Sequence, residues 1–265
     1  MKLFITDLDG SLLNSNKQLP NNFIETLERV KETNNLFFIA TGRSKEDVEK
    51  LFDSKLNFHN YICDNGAIVF HNNTMIDHTY MDNKDVQTII DTFKENDLGV
   101  LVLSGVTNSY RIYGPTCDPK DEHFFERYYV NSIKVNNLNE INEKILKITI
   151  QSYKWAKEFI EPYFINMKLD NTNAVVAGLY WYDFTNIDTS KGKAIKHIQD
   201  YYNISKDDSH CFGDYLNDLS MKDYCTHSHA LGNSHELILR EFTDIIDTND
   251  NCGVTNKILE ILKEI

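Results

Sequence analysis

No stretch of this sequence reaches the roughly 18 consecutive apolar residues that a membrane-spanning helix needs, and no signal peptide precedes the first strand at Leu3. A soluble, cytoplasmic protein without a membrane partner is therefore expected. Cysteine is sparse: five residues (Cys63, Cys117, Cys211, Cys225, Cys252), odd in number, widely spaced and without a C-x-x-C pair. That pattern excludes a disulfide framework and fits reduced thiols. Positive charge is in deficit, with 27 Lys+Arg against 40 Asp+Glu and a formal net charge of -13. A basic nucleic-acid or anionic-membrane face is thereby excluded, while a phosphate ligand stays open because local cations or a metal override the global field. Internal repeats and low-complexity linkers are absent, and no G-x-G-x-x-G follows the first strand, which removes a dinucleotide-binding oxidoreductase. With 265 residues, 41% hydrophobic and 12% aromatic, the chain can fill one large domain or two modest ones.

What is present is organised around Lys2-Leu3-Phe4-Ile5-Thr6-Asp7-Leu8-Asp9-Gly10-Ser11. Leu3, Phe4 and Ile5 read as a buried strand that delivers Asp7 and Asp9. In an extended chain residues i and i+2 share a side, so both carboxylates are expected to face one point. Gly10 then lets the chain turn. Two anions at a buried strand end call for a cation or a proton. The plainer reading is an acidic turn, and the rest of the chain has to decide.

A helix carrying Phe23, Leu27 and Val30 stops at Asn34-Asn35, and a second apolar strand, Leu36–Ala40, ends in Thr41-Gly42-Arg43-Ser44. Ser44 with Asp47 forms a capping-box pattern before Val48, Leu51 and Phe52. A strand at Tyr61-Ile62-Cys63 meets Asp64-Asn65-Gly66-Ala67, where Asn-Gly predicts a hairpin return through Ile68-Val69-Phe70. Strand–helix–strand–helix–strand at these lengths means a parallel sheet with helices on its faces. From Asp82, a predicted helix cap, the rhythm changes. Strands are expected at Gly99–Leu103, Ser109–Tyr113, Lys144–Gln151 and Leu179–Phe184, with Val175–Ala177 pairing the last. A loop holding Pro115 and Pro119 precedes the aromatic stretch Phe124-Phe125 and Tyr128-Tyr129, and Pro162 ends or kinks a helix. The parallel rhythm resumes at Ser190. The predicted fold is α/β: a Rossmann-like parallel-sheet core over 1–81 and 186–265, with an inserted α+β cap over 82–185.

Ligands of open parallel sheets bind outside the carboxyl ends of the strands. Asp7/Asp9, Thr41-Gly42-Arg43, Lys191 and Gly213-Asp214-Tyr215-Leu216-Asn217-Asp218 are all expected there. Hard carboxylate oxygens select Mg²⁺. Lys191 sits in the first turn of a helix, where a cation opposes the macrodipole by about 0.3–1 kcal/mol. That placement makes sense when the ammonium meets an anion, although an isolated Ser-Lys is more often surface.

This ordered set, Asp-x-Asp-Gly-Ser, Ala40-Thr41-Gly42-Arg43, the Asp64-Asn65-Gly66-Ala67 turn, Ser190-Lys191-Gly192 and Gly213-Asp214-x-x-Asn217-Asp218, resembles the haloacid dehalogenase superfamily and its Cof-type, class IIB phosphatases. The resemblance covers residues 1–81 and 186–265, and the middle third only by position and element pattern. It implies a phosphoric monoester hydrolase acting on a small phosphorylated metabolite, a sugar phosphate or similar. Asp7 would be the nucleophile and Asp9 the general acid and base. Lys191 would neutralise developing charge. Mg²⁺ would be held by the Asp7 carboxylate, the Asp9 backbone carbonyl and Asp214, with Asp218 direct or through water. Thr41, Gly42, Arg43, Gly10 and Asn217 would bind or orient the phosphoryl group. Arg111, Tyr113 and Arg127 are cap candidates for the leaving group, and a monomer or weak homodimer is expected. Ser11 stands where Thr is commoner, and Tyr215 where a small residue is usual. His227 and His229, just before Ala230-Leu231-Gly232-Asn233, form a His-x-His without companion ligands, for which the expected setting is a strand surface. A hexose phosphomutase would need a second phosphate site in a cap with few arginines. A non-catalytic phosphometabolite sensor would more readily lack Asp7, Asp9 or Lys191.

Overall fold

The computed structural model describes residues 1–52, 58–118, 120, 123, 125 and 132–263. These form two compact units: Met1–His78 with Thr189–Ile265, and Thr79–Asp188. The expected boundaries move by about three residues at each crossing. The buried Met81 donates its N–H to the Ile145 carbonyl at 2.8 Å, and the Asn186 amide donates to the Tyr80 carbonyl, also at 2.8 Å. Both junction segments are thus tied into the second unit.

In the first unit, eight strands run in the order β14 (Asp244–Ile246), β13 (His227–Leu231), β12 (Ser209–Gly213), β1 (Leu3–Asp7), β2 (Leu36–Ala40), β3 (Tyr61–Cys63), β4 (Ile68–His71) and β5 (Thr74–His78). From β14 through β3 neighbours pair parallel; β3–β4 and β4–β5 are antiparallel. β1 is buried throughout, and its neighbours on either side are reached by connections running in opposite directions. The crevice of a doubly wound sheet opens at that point, between the ends of β1 and β12. Leu3 and Ile5 pack with Phe38, Ile62, Cys211, Ile195 and Ile198, so the helix Lys191–Tyr202 closes one face. The Asn-Gly hairpin is present, but its turn is the 3₁₀ segment Asp64–Gly66, with φ of 50° at Asp64, 58° at Asn65 and 104° at Gly66.

His229 is not on a strand surface. It is buried, stacks on Phe212 at 4.6 Å and meets His210 Nδ1 at 3.2 Å and Asp244 at 3.1 Å. The parallel register sets Phe212 against His229 and His210 against His227, so the rings fall on one face of the sheet. Burial lowers His210 to about 3 and His229 to about 4, which keeps both rings neutral.

The second unit holds a six-stranded sheet in the order β10 (Thr172–Gly178), β11 (Trp181–Asn186), β9 (Lys147–Gln151), β6 (Val100–Ser104), β7 (Ser109–Tyr113) and β8 (Ile133–Lys134). It is antiparallel except for β7–β8. Asp82 caps the helix Asn83–Asn96 by accepting the Lys84 N–H at 2.8 Å. Val86, Ile89, Ile90 and Phe93 of that helix pack on Leu101, Leu103, Ile148 and Ile150. Two short helices, Ala156–Phe159 and Glu161–Phe164, break at Ile160, and Pro162 sits in the first turn of the second, where its missing N–H costs no helical bond. Of the expected aromatic stretch, Phe125 is buried against Val100 and Val102, while Phe124, Arg127, Tyr128 and Tyr129 lie outside the described residues. Among the described residues no helix is long and apolar enough to cross a membrane.

Phe184 is fully buried, with Phe164 at 4.8 Å and Tyr182 at 5.2 Å. Phe184→Ala is expected to cost about 3–5 kcal/mol in urea denaturation. A loss below about 1 kcal/mol would mean that the neighbouring rings refill the space.

Candidate active site

β1 ends at Asp7, buried on the central strand. Its Oδ1 accepts from Lys191 Nζ at 2.5 Å, and the same ammonium donates to Asp218 Oδ1 at 2.6 Å. Lys191 is 0% exposed, a full cation between two carboxylates brought from residues 184 and 27 positions away. Local sequence supports the placement: Ser190 caps the helix, accepting the Lys193 N–H at 3.1 Å, and so places Lys191 at its first position. The second oxygen of Asp218 accepts the backbone N–H groups of Asp214 at 3.0 Å and Tyr215 at 3.1 Å. One carboxylate therefore sets both the lysine and the turn after β12.

Asp214 completes the group. Carboxylate oxygens of Asp7, Asp214 and Asp218 lie within 4.8 Å of one another. Gly10, at φ 92°, makes room, because a Cβ there would overlap the Asp214 carboxylate. Ser11 donates to Asp214 Oδ1 at 2.8 Å, so the hydroxyl kept at this position has a partner. Burial lifts the Asp7 carboxyl well above the ordinary range; Lys191 opposes that shift, and Asp218 and Asp214 reinforce it. Burial is also the first cause that raises Asp214 to about 6, against the Ser11 hydrogen bond and with the Asp218 charge adding to it. For Lys191, burial works against the charge, but Asp218 and Asp7 outweigh it and raise its pKa. The donor set is hard oxygen with surplus negative charge, which a divalent cation such as Mg²⁺ would relieve.

The strand ends at Asp7 and a turn follows, and the Asp9 carboxylate is not one of the Asp7, Asp214 and Asp218 group. It is instead gripped by Arg43, with Nε to Oδ2 and Nη2 to Oδ1 both at 2.7 Å, and by Lys17 at 2.9 Å. Burial alone would raise Asp9, but the bonds and charges of Arg43 and Lys17 prevail and hold it below the usual range. Lys17, at φ 60° in the turn after β1, carried no recognisable sequence signal.

Thr41 is buried after β2, and its hydroxyl accepts the Arg43 N–H at 3.2 Å. Gly42 lies against the Asn65 side chain. Asn217, exposed, donates to Asn65 Oδ1 at 3.2 Å. Gly10, Asp7, Asp214, Asp218 and Lys191 thus form one contiguous cluster. Asp9 and Arg43 form a second, and Gly42 and Asn217 are joined through Asn65, which sequence reading took only as a turn residue. Tyr215 is 55% exposed, with its ring edge-on to His235.

A sequence model of the family described as haloacid dehalogenase-like hydrolase matches residues 4–258. Two curated Bacillus subtilis (strain 168) proteins, both named 5-amino-6-(5-phospho-D-ribitylamino)uracil phosphatase, are similar over nearly the whole chain. YitU is 23% identical over 266 residues, covering 97% of this chain and 96% of its own. YwtE is 25% identical over 288 residues, covering 99% and 98%. A crystal structure of SMU.1108c from Streptococcus mutans UA159 superposes with a TM-score of 0.85 at 21% identity, covering 99% of each chain, which bears on the fold.

A carboxyl raised by folding opposes the folded state once ionised, so its contribution is lost as pH rises from the unfolded value near 4 through about 6. In chelator-treated protein, Asp214→Asn keeps an acceptor for Ser11 and is expected to melt higher than wild type at pH 7.5. The gain should shrink to nothing below about pH 4. A gain independent of pH, or a loss at pH 7.5, would contradict the raised carboxyl.

Proposed function

The chain belongs to the haloacid dehalogenase-like hydrolase family, and on that footing we propose that it is a Mg²⁺-dependent phosphatase of a small phosphorylated metabolite. The observation that carries the reading is the Lys191 ammonium shared by Asp7 and Asp218 beside Asp214, at the crevice between β1 and β12. Two relatives named as phosphatases of a phosphoribitylamino-uracil support a sugar or sugar-alcohol phosphate ester as the substrate class.

Asp7, as the carboxylate that Lys191 and a bound cation would favour, attacks phosphorus, the bond to the leaving oxygen breaks, and an aspartyl-phosphate forms on this side chain. Asp9, freed from Arg43 and Lys17 and protonated from solvent before the first turnover, donates the proton that the leaving oxygen takes up. Water then attacks phosphorus, Asp9 takes its proton, and the bond to Asp7 breaks, releasing inorganic phosphate. The Arg43 and Lys17 grip holds Asp9 as an anion, so its acid role requires that grip to open; an incoming phosphoryl group competes for the same guanidinium. Lys191 holds Asp7 in line and neutralises charge on the phosphoryl oxygens. Thr41, Gly42, Gly10, Arg43 and Asn217 are proposed to bind or orient that group.

Asp7, Asp214 and the Asp9 backbone carbonyl would hold Mg²⁺, with Asp218 behind them, its oxygens engaged by Lys191 and two backbone amides. The bound cation would supply charge neutralisation at the phosphoryl oxygens. Thr79–Asp188 is proposed as the cap that selects the leaving group, with Arg111 and Tyr113 among its candidate contacts.

Hydrolysis of p-nitrophenyl phosphate, with and without Mg²⁺, tests the chemistry. Wild type is expected to turn over only with metal, and Asp7→Asn to lose at least about 10³-fold in kcat while still folding, as circular dichroism reads it. Appreciable turnover by Asp7→Asn would remove Asp7 as nucleophile. Exchanging residues 79–188 for the matching segment of a relative should change the preferred ester and leave the Mg²⁺ requirement intact; preference that stays with the first unit would remove the cap role.

A further inference from the structure

We infer that Asn65 is a positioning residue of the phosphoryl site, acting through Asn217 and the Thr41–Arg43 loop; this rests on the phosphatase reading above. Three consecutive left-handed residues end β3, and two of them, Asp64 and Asn65, are not glycine. Such a run is unfavourable for L-residues and persists where its surroundings over-determine it. Here they do. The Asp64 N–H donates to the Arg43 carbonyl and the Asn65 N–H to the Thr41 carbonyl, each at 2.9 Å, while the Thr41 N–H donates to the Ile62 carbonyl at 2.8 Å. The loop after β2 is thereby bound along its length to the end of β3.

The side chain reaches the other wall. Asn65 Oδ1 accepts from Asn217 Nδ2 at 3.2 Å across 152 residues of sequence. A Cβ on Gly42 would sit 3.1 Å from the same oxygen, so Gly42 is held in close contact with it. Gly66, the next residue, packs so closely on the Ser190 carbonyl and the Lys191 N–H that a Cβ there would overlap them. One turn therefore meets the Thr41–Arg43 loop, the start of the Lys191 helix and the Asn217 segment.

Residue type follows from these demands. Asparagine tolerates the left-handed conformation and offers a neutral acceptor. Glycine satisfies the backbone but offers no acceptor. Aspartate keeps the acceptor but adds negative charge where a phosphoryl group must enter. Misplacing a binding group by about 1 Å can cost up to about 10²-fold in rate.

Asn65→Gly isolates the side chain, because glycine adopts a φ of 58° without strain. The melting temperature is expected to stay within about 2 °C of wild type, and kcat for p-nitrophenyl phosphate to fall about tenfold with KM rising about threefold. In an Asn217→Ala background the same change should cost clearly less than in wild type, since one of the two contacts of the Asn65 side chain is already gone. Inorganic phosphate affinity, measured by titration calorimetry, should fall at least about threefold in Asn65→Gly. Activity and phosphate affinity both equal to wild type would overturn the inference, as would a tenfold loss that persists undiminished with Asn217→Ala. An inactive wild type would count against the phosphatase reading alone, and the phosphate titration would then decide on Asn65.

Discussion

Everything at the candidate site depends on a fully buried ammonium between two buried carboxylates. Desolvating Lys191, Asp7 and Asp218 is costly, and such a group is weak as a source of stability even when geometry is good. What it supplies is placement. The bonds from Lys191 orient the acid at the end of β1, and through Asp218 they set the turn after β12. Helix polarity opposes a cation at this first position, so the two anions are what make the position tenable.

The fold makes this convergence possible. β1 is central, and the connections on either side lead away in opposite directions, so the strand ends of β1 and β12 part to leave a crevice. Asp7 and Asp214 stand at those ends. A chain of formal net charge -13 can host an anion there because Lys191, Arg43 and Lys17 are local. The same cations divide the two acids of the first motif. Asp7, buried among carboxylates, is pushed toward protonation, whereas Asp9, gripped by two cations, is held ionised.

Much of this was legible along the chain. Leu3–Ile5, Leu36–Ala40 and Ile195/Ile198 announced buried strands and a buried helix face, and Leu3, Ile5, Phe38, Ala40, Ile195 and Ile198 of these form one apolar cluster. Ser190 as a cap was legible, as was Asp82. The strand β5 was not, because Thr74–His78 has no buried residue and no alternation to betray it. His229 was expected on a surface, since periodicity along β13 cannot tell which neighbours cover a face; Phe212 and Asp244 do so from adjacent strands. Asn65 read as a hairpin residue because its partners lie on the loop after β2 and at Asn217, far off in sequence.

The sequence by itself determined the residue types and their order: carboxylates after the first strand, a threonine after the second, a capped lysine, and a second acidic turn. Side-chain chemistry and local periodicity are properties of short segments, so they are readable there. Only the tertiary structure decided partnership. It joined Lys191 to Asp7 and Asp218, gave Asp9 to Arg43 and Lys17, and linked Asn65 to Asn217. These pairings depend on parallel strand register and loop closure over as many as 184 residues, and on burial that strengthens each charge.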